Sequence, residues 1–222
     1  MKTNWIDYVL ATLAIGGVVA LTLLILKFAV TPVSRQMGQY APIADVLLFL
    51  LLYGIFSGLL VRCVLAIKPL RRGLYSMDSP QFTQWKLIMI LSEFGRGALT
   101  PFSVVFFKPL IAQLYGARIG KNVALSGTLA DPYLVTLDDE VIIGQGALIS
   151  GHALVNGKLY LAPVEIGRGA VIGGMVGMLP GVRVGEKALV QAGATVNLNT
   201  RIEAGECWGV AMAQKIKEKK EP

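Results

Sequence analysis

Between residues 119 and 208 an apolar side chain recurs every six positions. The rungs of this ladder are Ile119, Leu125, Leu137, Ile143 and Ile149, then Ile166, Ile172, Met178, Val184, Val190, Val196, Ile202 and Trp208. Asp131 breaks the apolar register, and the gap from Ile149 to Ile166 is not a multiple of six. Four residues after most rungs stands a second small apolar residue, as at Val123, Val135, Val141, Ala147, Ala170, Val176, Val182, Ala188 and Ala194. A helix of period 3.6 does not generate this spacing, and a half-buried strand alternates with period two. A short fixed period predicts a solenoid, here a mainly β left-handed parallel β-helix in which three six-residue faces close one coil of roughly 18 residues. Glycine follows the rung at Gly120, Gly144, Gly167, Gly173 and Gly185. These are read as corners that need permissive backbone angles.

The first third of the chain has a different pattern. Tyr8 to Val30 and Ala44 to Ile67 are almost continuously apolar, interrupted by Lys27 and Arg62, and they raise the mean hydropathy to +0.61. Each is long enough to cross roughly 30 Å of hydrocarbon, and the first lacks the cleavage site of a signal peptide. The predicted organisation is a two-span transmembrane anchor (1–72), interfacial helices and a linker (73–116), the β-helix domain (117–212) and a basic tail (213–222). Lys68, Arg71 and Arg72 follow the second stretch, whereas the connecting segment Thr31 to Ile43 holds only Arg35. This bias predicts a multi-pass protein of the inner (cytoplasmic) membrane with the β-helix on the cytoplasmic side. Ser79-Pro80 marks a helix start, and Trp85, Phe102, Phe106 and Phe107 are read as anchors in the membrane interface. Glu93 and Arg96 end the apolar run there too early for a clean third span.

The formal net charge is +7. Juxtamembrane lysine and arginine beside anionic lipid account for it. Basic residues are not interleaved with aromatic ones as base stacking would need, which argues against nucleic acid as a partner. Cys63 lies in the second apolar stretch and Cys207 at the end of the solenoid, a pattern that suggests no disulfide.

The irregular gap carries the candidate chemistry. It opens with His152, the single histidine of the protein, at the root of a loop of the kind solenoids throw out on a binding face. Gly151-His152, Asn156-Gly157 with Tyr160 and Pro163, Ile166-Gly167, Ile172-Gly173, Leu179-Pro180-Gly181-Val182 and the closing Gly209 to Ile216 together resemble the bacterial hexapeptide-repeat acyltransferases. The resemblance is to the galactoside, maltose and xenobiotic acetyltransferase group in particular, and it covers residues 117–216. It implies that His152 is the general base, taking a proton from an acceptor hydroxyl or amine as that group attacks a donor thioester. An imidazole, which titrates near neutrality, suits that task. It further implies an oxyanion-type backbone contact at Gly174, and room for the donor's pantetheine arm at Ala192. Asp131 is placed to orient His152 or to bind the acceptor. Asn197 and Leu198 stand where the family often has a threonine-lysine pair, so Lys187, Lys215 and Lys217 become the candidates for the donor's phosphates.

The expectation is therefore a membrane-anchored acyltransferase with acyl-CoA (acetyl-CoA foremost) or an acyl carrier protein as co-substrate. No bound cofactor or metal is called for. The resemblance implies a homotrimer, and the anchor suggests a lipid-linked or otherwise amphiphilic hydroxyl acceptor. A γ-type carbonic anhydrase would need three zinc-binding histidines where the chain has one. A nucleotidyltransferase would need a further domain. A non-catalytic trimeric membrane scaffold is the competing reading.

Overall fold

The computed structural model describes residues 3–209. From residue 118 to residue 208 the chain winds as a parallel β-helix with three faces. The first face stacks Arg118–Ile119, Val135–Leu137, Val164–Ile166, Arg183–Val184 and Arg201–Ile202. The second stacks Ala124–Leu125, Ile142–Ile143, Val171–Ile172, Leu189–Val190 and Cys207–Trp208. The third stacks Thr128–Leu129, Leu148–Ile149, Gly177–Met178 and Thr195–Val196. The six-residue period translates directly into pairing. Ile119 lies beside Leu137, Ile166 beside Val184, and Val190 beside Trp208, each eighteen residues on. Rung residues as far as Ile202 and their small partners four positions later fill one continuous core, each large buried rung worth roughly 1.5–3 kcal/mol of burial. Trp208 at the end of the ladder is exposed.

Two details of the ladder differ from the expectation. The rung of the first coil's third face is Leu129, which pairs with Ile149, so Asp131 is not a rung at all. The register advances by four residues from Leu125 to Leu129 and by eight from Leu129 to Leu137, and the slack puts Asp131 in the corner ahead of the turn Pro132–Leu134. The glycines that follow rungs are required for space rather than for angle. A Cβ on Gly173 would lie 2.4 Å from the Ala192 nitrogen of the next coil, and one on Gly144 2.5 Å from the Gly174 nitrogen. Left-handed backbone occurs instead three residues after the rung, at positions such as Lys187 (φ 55°) and Gly193 (φ 74°).

The helical layer comprises α1 (Trp5–Ile25), the short α2 (Thr31–Ser34), α3 (Ala41–Ile67), α4 (Pro80–Ala98) and α5 (Lys108–Leu114). Residues Trp5–Ile67 form one continuous helical stretch of 63 residues, long and apolar enough to cross a membrane, where two separate helices were expected. Within it Gly38 takes non-helical angles (φ 59°, ψ −125°), and Leu13 and Leu21 of α1 share a groove with Phe56 and Leu60 of α3. Ser79 caps α4 by accepting the Phe82 N–H at 3.2 Å, and this helix runs past Glu93 and Arg96. Phe82, Trp85, Ile88 and Leu91, three residues apart, form its buried stripe. Lys86 of α4 is paired with Asp7 of α1. The Tyr115 hydroxyl donates to the Gly54 carbonyl at 2.8 Å, which ties the coil's entry to α3. Its burial pushes the phenol above the usual tyrosine range.

Candidate active site

The gap in the ladder folds as a β-hairpin, His152–Val155 against Lys158–Leu161. Asn156 and Gly157 form its two-residue turn with φ of 48° and 70°, the left-handed pair that an Asn-Gly turn supplies. The strand Gly73–Ser76, which follows α3 by a few residues, adds antiparallel to Lys158–Leu161. The hairpin thus supplies two strands of a three-stranded sheet that joins coil and helical layer, with Lys158–Leu161 at its centre and the histidine strand at its edge. Arg72 strengthens the join by donating to Tyr160 Oη (3.3 Å) and Asn199 Oδ1 (3.0 Å), while Tyr160 also donates to Asn199 (2.7 Å).

At the root of the hairpin the imidazole of His152 meets Asp131. His152 Nδ1 is 2.6 Å from Asp131 Oδ2. A carboxylate only accepts, so Nδ1 donates in this contact, and in the neutral ring Nε2 is then the nitrogen that keeps its lone pair. Asp131 is wholly buried (0% exposed) and takes two further donors, the Gly151 N–H at 3.0 Å on Oδ2 and the Trp85 indole N–H at 3.4 Å on Oδ1. These donors offset the cost of holding an anion away from water. The His152 side chain is 24% exposed and its ring centroid lies 4.9 Å from that of Trp85. Ser150 fixes the backbone here, its hydroxyl donating to the His152 carbonyl (2.7 Å) and accepting the His152 N–H (3.3 Å). Gly151 is small by necessity, since a Cβ there would stand 2.6 Å from Leu134 Cβ. Beside the pair the Tyr133 phenol is held well above the usual tyrosine range by burial, reinforced by the Asp131 charge.

The other sequence-predicted residues lie elsewhere on the coil. Gly174 and Ala192 stack in successive coils on the corner between second and third faces, where the Gly193 N–H donates to the Gly174 carbonyl at 2.9 Å. Lys187 is exposed on the corner between first and second faces. His152 and Asp131 occupy the corner between third and first faces. One chain therefore brings Asp131 and His152 together but leaves Gly174 and Ala192 on a different edge of the prism. Both carboxylate oxygens of Asp131 are engaged within the chain, by His152, Gly151 and Trp85. Lys215 and Lys217 lie outside the described residues. Phe106 and Phe107 are exposed, whereas Trp85, expected as an interfacial anchor, is 7% exposed and packed on the histidine. Trp85 is the site residue that the sequence reading missed. Its partner is 46 positions away, and no local spacing signals the contact.

The chain is similar to acetyltransferases. It is 33% identical over 100 residues to the galactoside O-acetyltransferase of Escherichia coli (strain K12), a match covering 40% of this chain and 49% of that protein. It is 27% identical over 108 residues to the delta-poly-L-ornithine synthetase of Acinetobacter baumannii (strain AB307-0294), covering 48% of this chain and 8% of that protein. Among solved structures it is similar to a hexapeptide-repeat acetyltransferase of Vibrio cholerae O1 biovar eltor complexed with acetyl coenzyme A, at 22% identity and a TM-score of 0.40, over 45% of this chain and 58% of that one. The chain spans about half the length of the first of these relatives and less than a tenth of the second. No family model matches it.

Proposed function

We propose that this protein is a membrane-anchored acyltransferase that moves an acyl group, acetyl foremost, from a coenzyme A or carrier-protein thioester to a hydroxyl of a membrane-associated acceptor. The observation that carries the reading is the 2.6 Å contact between the buried Asp131 and Nδ1 of His152 at the root of the hairpin. In this reading His152 Nε2 takes the proton of the acceptor hydroxyl as its oxygen attacks the thioester carbonyl. The tetrahedral oxyanion collapses, the carbon–sulfur bond breaks, and the imidazolium returns the proton to the departing thiolate. Asp131 holds the ring in the reactive tautomer and balances the imidazolium, and Trp85 and Gly151 hold Asp131. Similarity to a relative named for O-acetyl transfer supports the same reaction class.

Gly174 and Ala192 are assigned to the donor, with Lys187 and Lys215 near its phosphates. Because Gly174 and Ala192 lie on a different edge from His152, a neighbouring copy has to supply the facing wall, which favours a homotrimer. The two apolar segments of Trp5–Ile67 are assigned as a two-span anchor bent at Gly38, with the β-helix on the cytoplasmic side. Thiol release from acetyl-CoA, longer acyl-CoA and acyl carrier protein, in the presence of membrane lipid extract, tests the reading. Release by the wild type that disappears in His152→Ala supports it. Equal release by both proteins removes His152 as the base, and no release with any donor leaves the trimeric scaffold.

A further inference from the structure

Between the coil's first turn and the helical layer lies a cavity of about 310 Å³, lined by Glu93, Arg96 and Gly97 of α4, Lys108 of α5, and Leu129 and Pro132 on either side of Asp131. Arg96 is fully engaged there, paired with Glu93 and donating to the carbonyls of Ser92, Leu129 and Ala130. Lys108 is different. Its Nζ donates to the Ser126 carbonyl at 3.0 Å, and among the described residues it has no carboxylate partner. A half-buried ammonium without a counter-ion favours an anionic guest.

A second cavity, of about 620 Å³, abuts the first, and Glu93 and Gly97 belong to both linings. Its walls are apolar, with Ile15 and Val19 of α1, Phe49 and Leu50 of α3, and Phe94 of α4. An apolar groove among the helices thus lies next to a chamber of net positive charge, with Glu93 and Gly97 bordering both. Around Lys108 the side chains of Val104, Val105, Phe106, Phe107 and Leu110 are all exposed, Phe106 at 85%. A contiguous apolar rim of this kind is at home in a bilayer rather than in water.

We propose that the two cavities together bind one anionic amphiphile, a lipid whose phosphate-bearing headgroup sits at Lys108 and whose tail lies in the groove of α1, α3 and α4. The inference rests on the membrane-anchored reading above. A free phosphate would satisfy Lys108 but leaves the groove and the apolar rim without a role. A zwitterionic lipid would bring its own ammonium towards Arg96 and Lys108.

The test uses the full chain in detergent and native mass spectrometry, with dioctanoyl phosphatidic acid as probe, dioctanoyl phosphatidylcholine as the headgroup control and inorganic phosphate as competitor. The expected preference for phosphatidic acid is about tenfold or more. Lys108→Gln should abolish the preference. Gly97→Leu should weaken both lipids about tenfold without unfolding the protein, because a Cβ at Gly97 meets no atom within 4 Å and the added side chain enters open space at the junction. Equal binding of the two lipids by the wild type, displacement by inorganic phosphate, or phosphatidic acid binding that Gly97→Leu leaves unchanged would each overturn the proposal. His152→Ala should bind the lipid as the wild type does, so failure of the acyl-transfer reading leaves this inference standing. Carbonate washing of membranes separates the remaining case. Release of the chain overturns the anchor together with the lipid site, whereas a retained chain with no headgroup preference overturns the lipid site alone.

Discussion

From Ile166 to Val190 each rung pairs with a residue eighteen positions later, and the corners hold small residues or a left-handed turn. Between Leu129 and Ile166 the register slips, a hairpin is inserted, and a carboxylate is buried in the corner that follows the Leu129 rung. The regular coils are held by pairing with one another, and Arg72 reaches Asn199 from beside the helical layer. The irregular corner depends on it, through the Trp85 indole on Asp131 and the strand Gly73–Ser76 on the hairpin. The comparison teaches that a uniform solenoid supplies a rigid frame, while a buried polar group becomes tolerable where the repeat is broken and a second layer brings donors to satisfy it.

The largest predicted effect tests the irregular corner alone. His152→Ala should lower thioester cleavage on the order of 10³-fold, about 4 kcal/mol in the barrier, with the unfolding midpoint little changed. Asp131→Asn should lose roughly 10²-fold, since the amide can hold the imidazole in the wrong tautomer. Steady-state thiol release beside denaturant unfolding checks both. Loss of stability without loss of rate would make the pair structural.

Next come changes that break the regular coils. Gly173→Ala pushes a Cβ to 2.4 Å from backbone nitrogen, and a destabilisation of about 3 kcal/mol is expected. Gly193→Ala has open space and only its left-handed φ of 74° to contend with, so about 1 kcal/mol is expected. Chemical denaturation of the two variants compares the cost of space with the cost of angle, and equal losses would refute the distinction.

Trp85→Phe sharpens the link between the layers. The ring is kept and one donor to Asp131 is removed, at about 1 kcal/mol of stability and several-fold in rate. The rate should fall through kcat rather than KM, because Trp85 acts on His152 through Asp131. An unchanged kcat would reduce Trp85 to packing.

The smallest effect lies at the far end of the coil. The Glu203 N–H and the Trp208 indole N–H both donate to Glu206 at 2.9 Å and hold its carboxyl below its ordinary value. A depressed carboxylate contributes its stability above the unfolded value, near pH 4.5, and loses it as pH falls through the folded value. Trp208 fluorescence should therefore report slight loosening of the last coil below about pH 4.5, absent in Glu206→Gln.

Much of this was readable from local spacing. Rungs such as Ile166, Ile172 and Val184 repeat because each coil is built from the same three short segments, and His152 stood out because the ladder stops at it. Asn156-Gly157 carried a hairpin signal that spacing alone would have supported. Two local readings went astray for a physical reason. Asp131 kept the count of six, yet pairing is set by which side chain faces the core, and Leu129 faces it. Glycine after a rung looked like a matter of angles, because the approach of the next coil's backbone has no trace in local sequence.

By itself the sequence determined the solenoid, its pitch, the break that holds His152 and the apolar character of Tyr8 to Val30 and Ala44 to Ile67, all consequences of periodicity and hydrophobicity that each segment carries alone. Only the tertiary structure decided that Asp131 is buried beneath His152, that Trp85 and Gly151 satisfy it, and that the strand Gly73–Ser76 steadies the hairpin. Those contacts join residues 20 to 88 positions apart. Such pairings depend on how the layers pack, and packing is a property of the folded whole rather than of any segment.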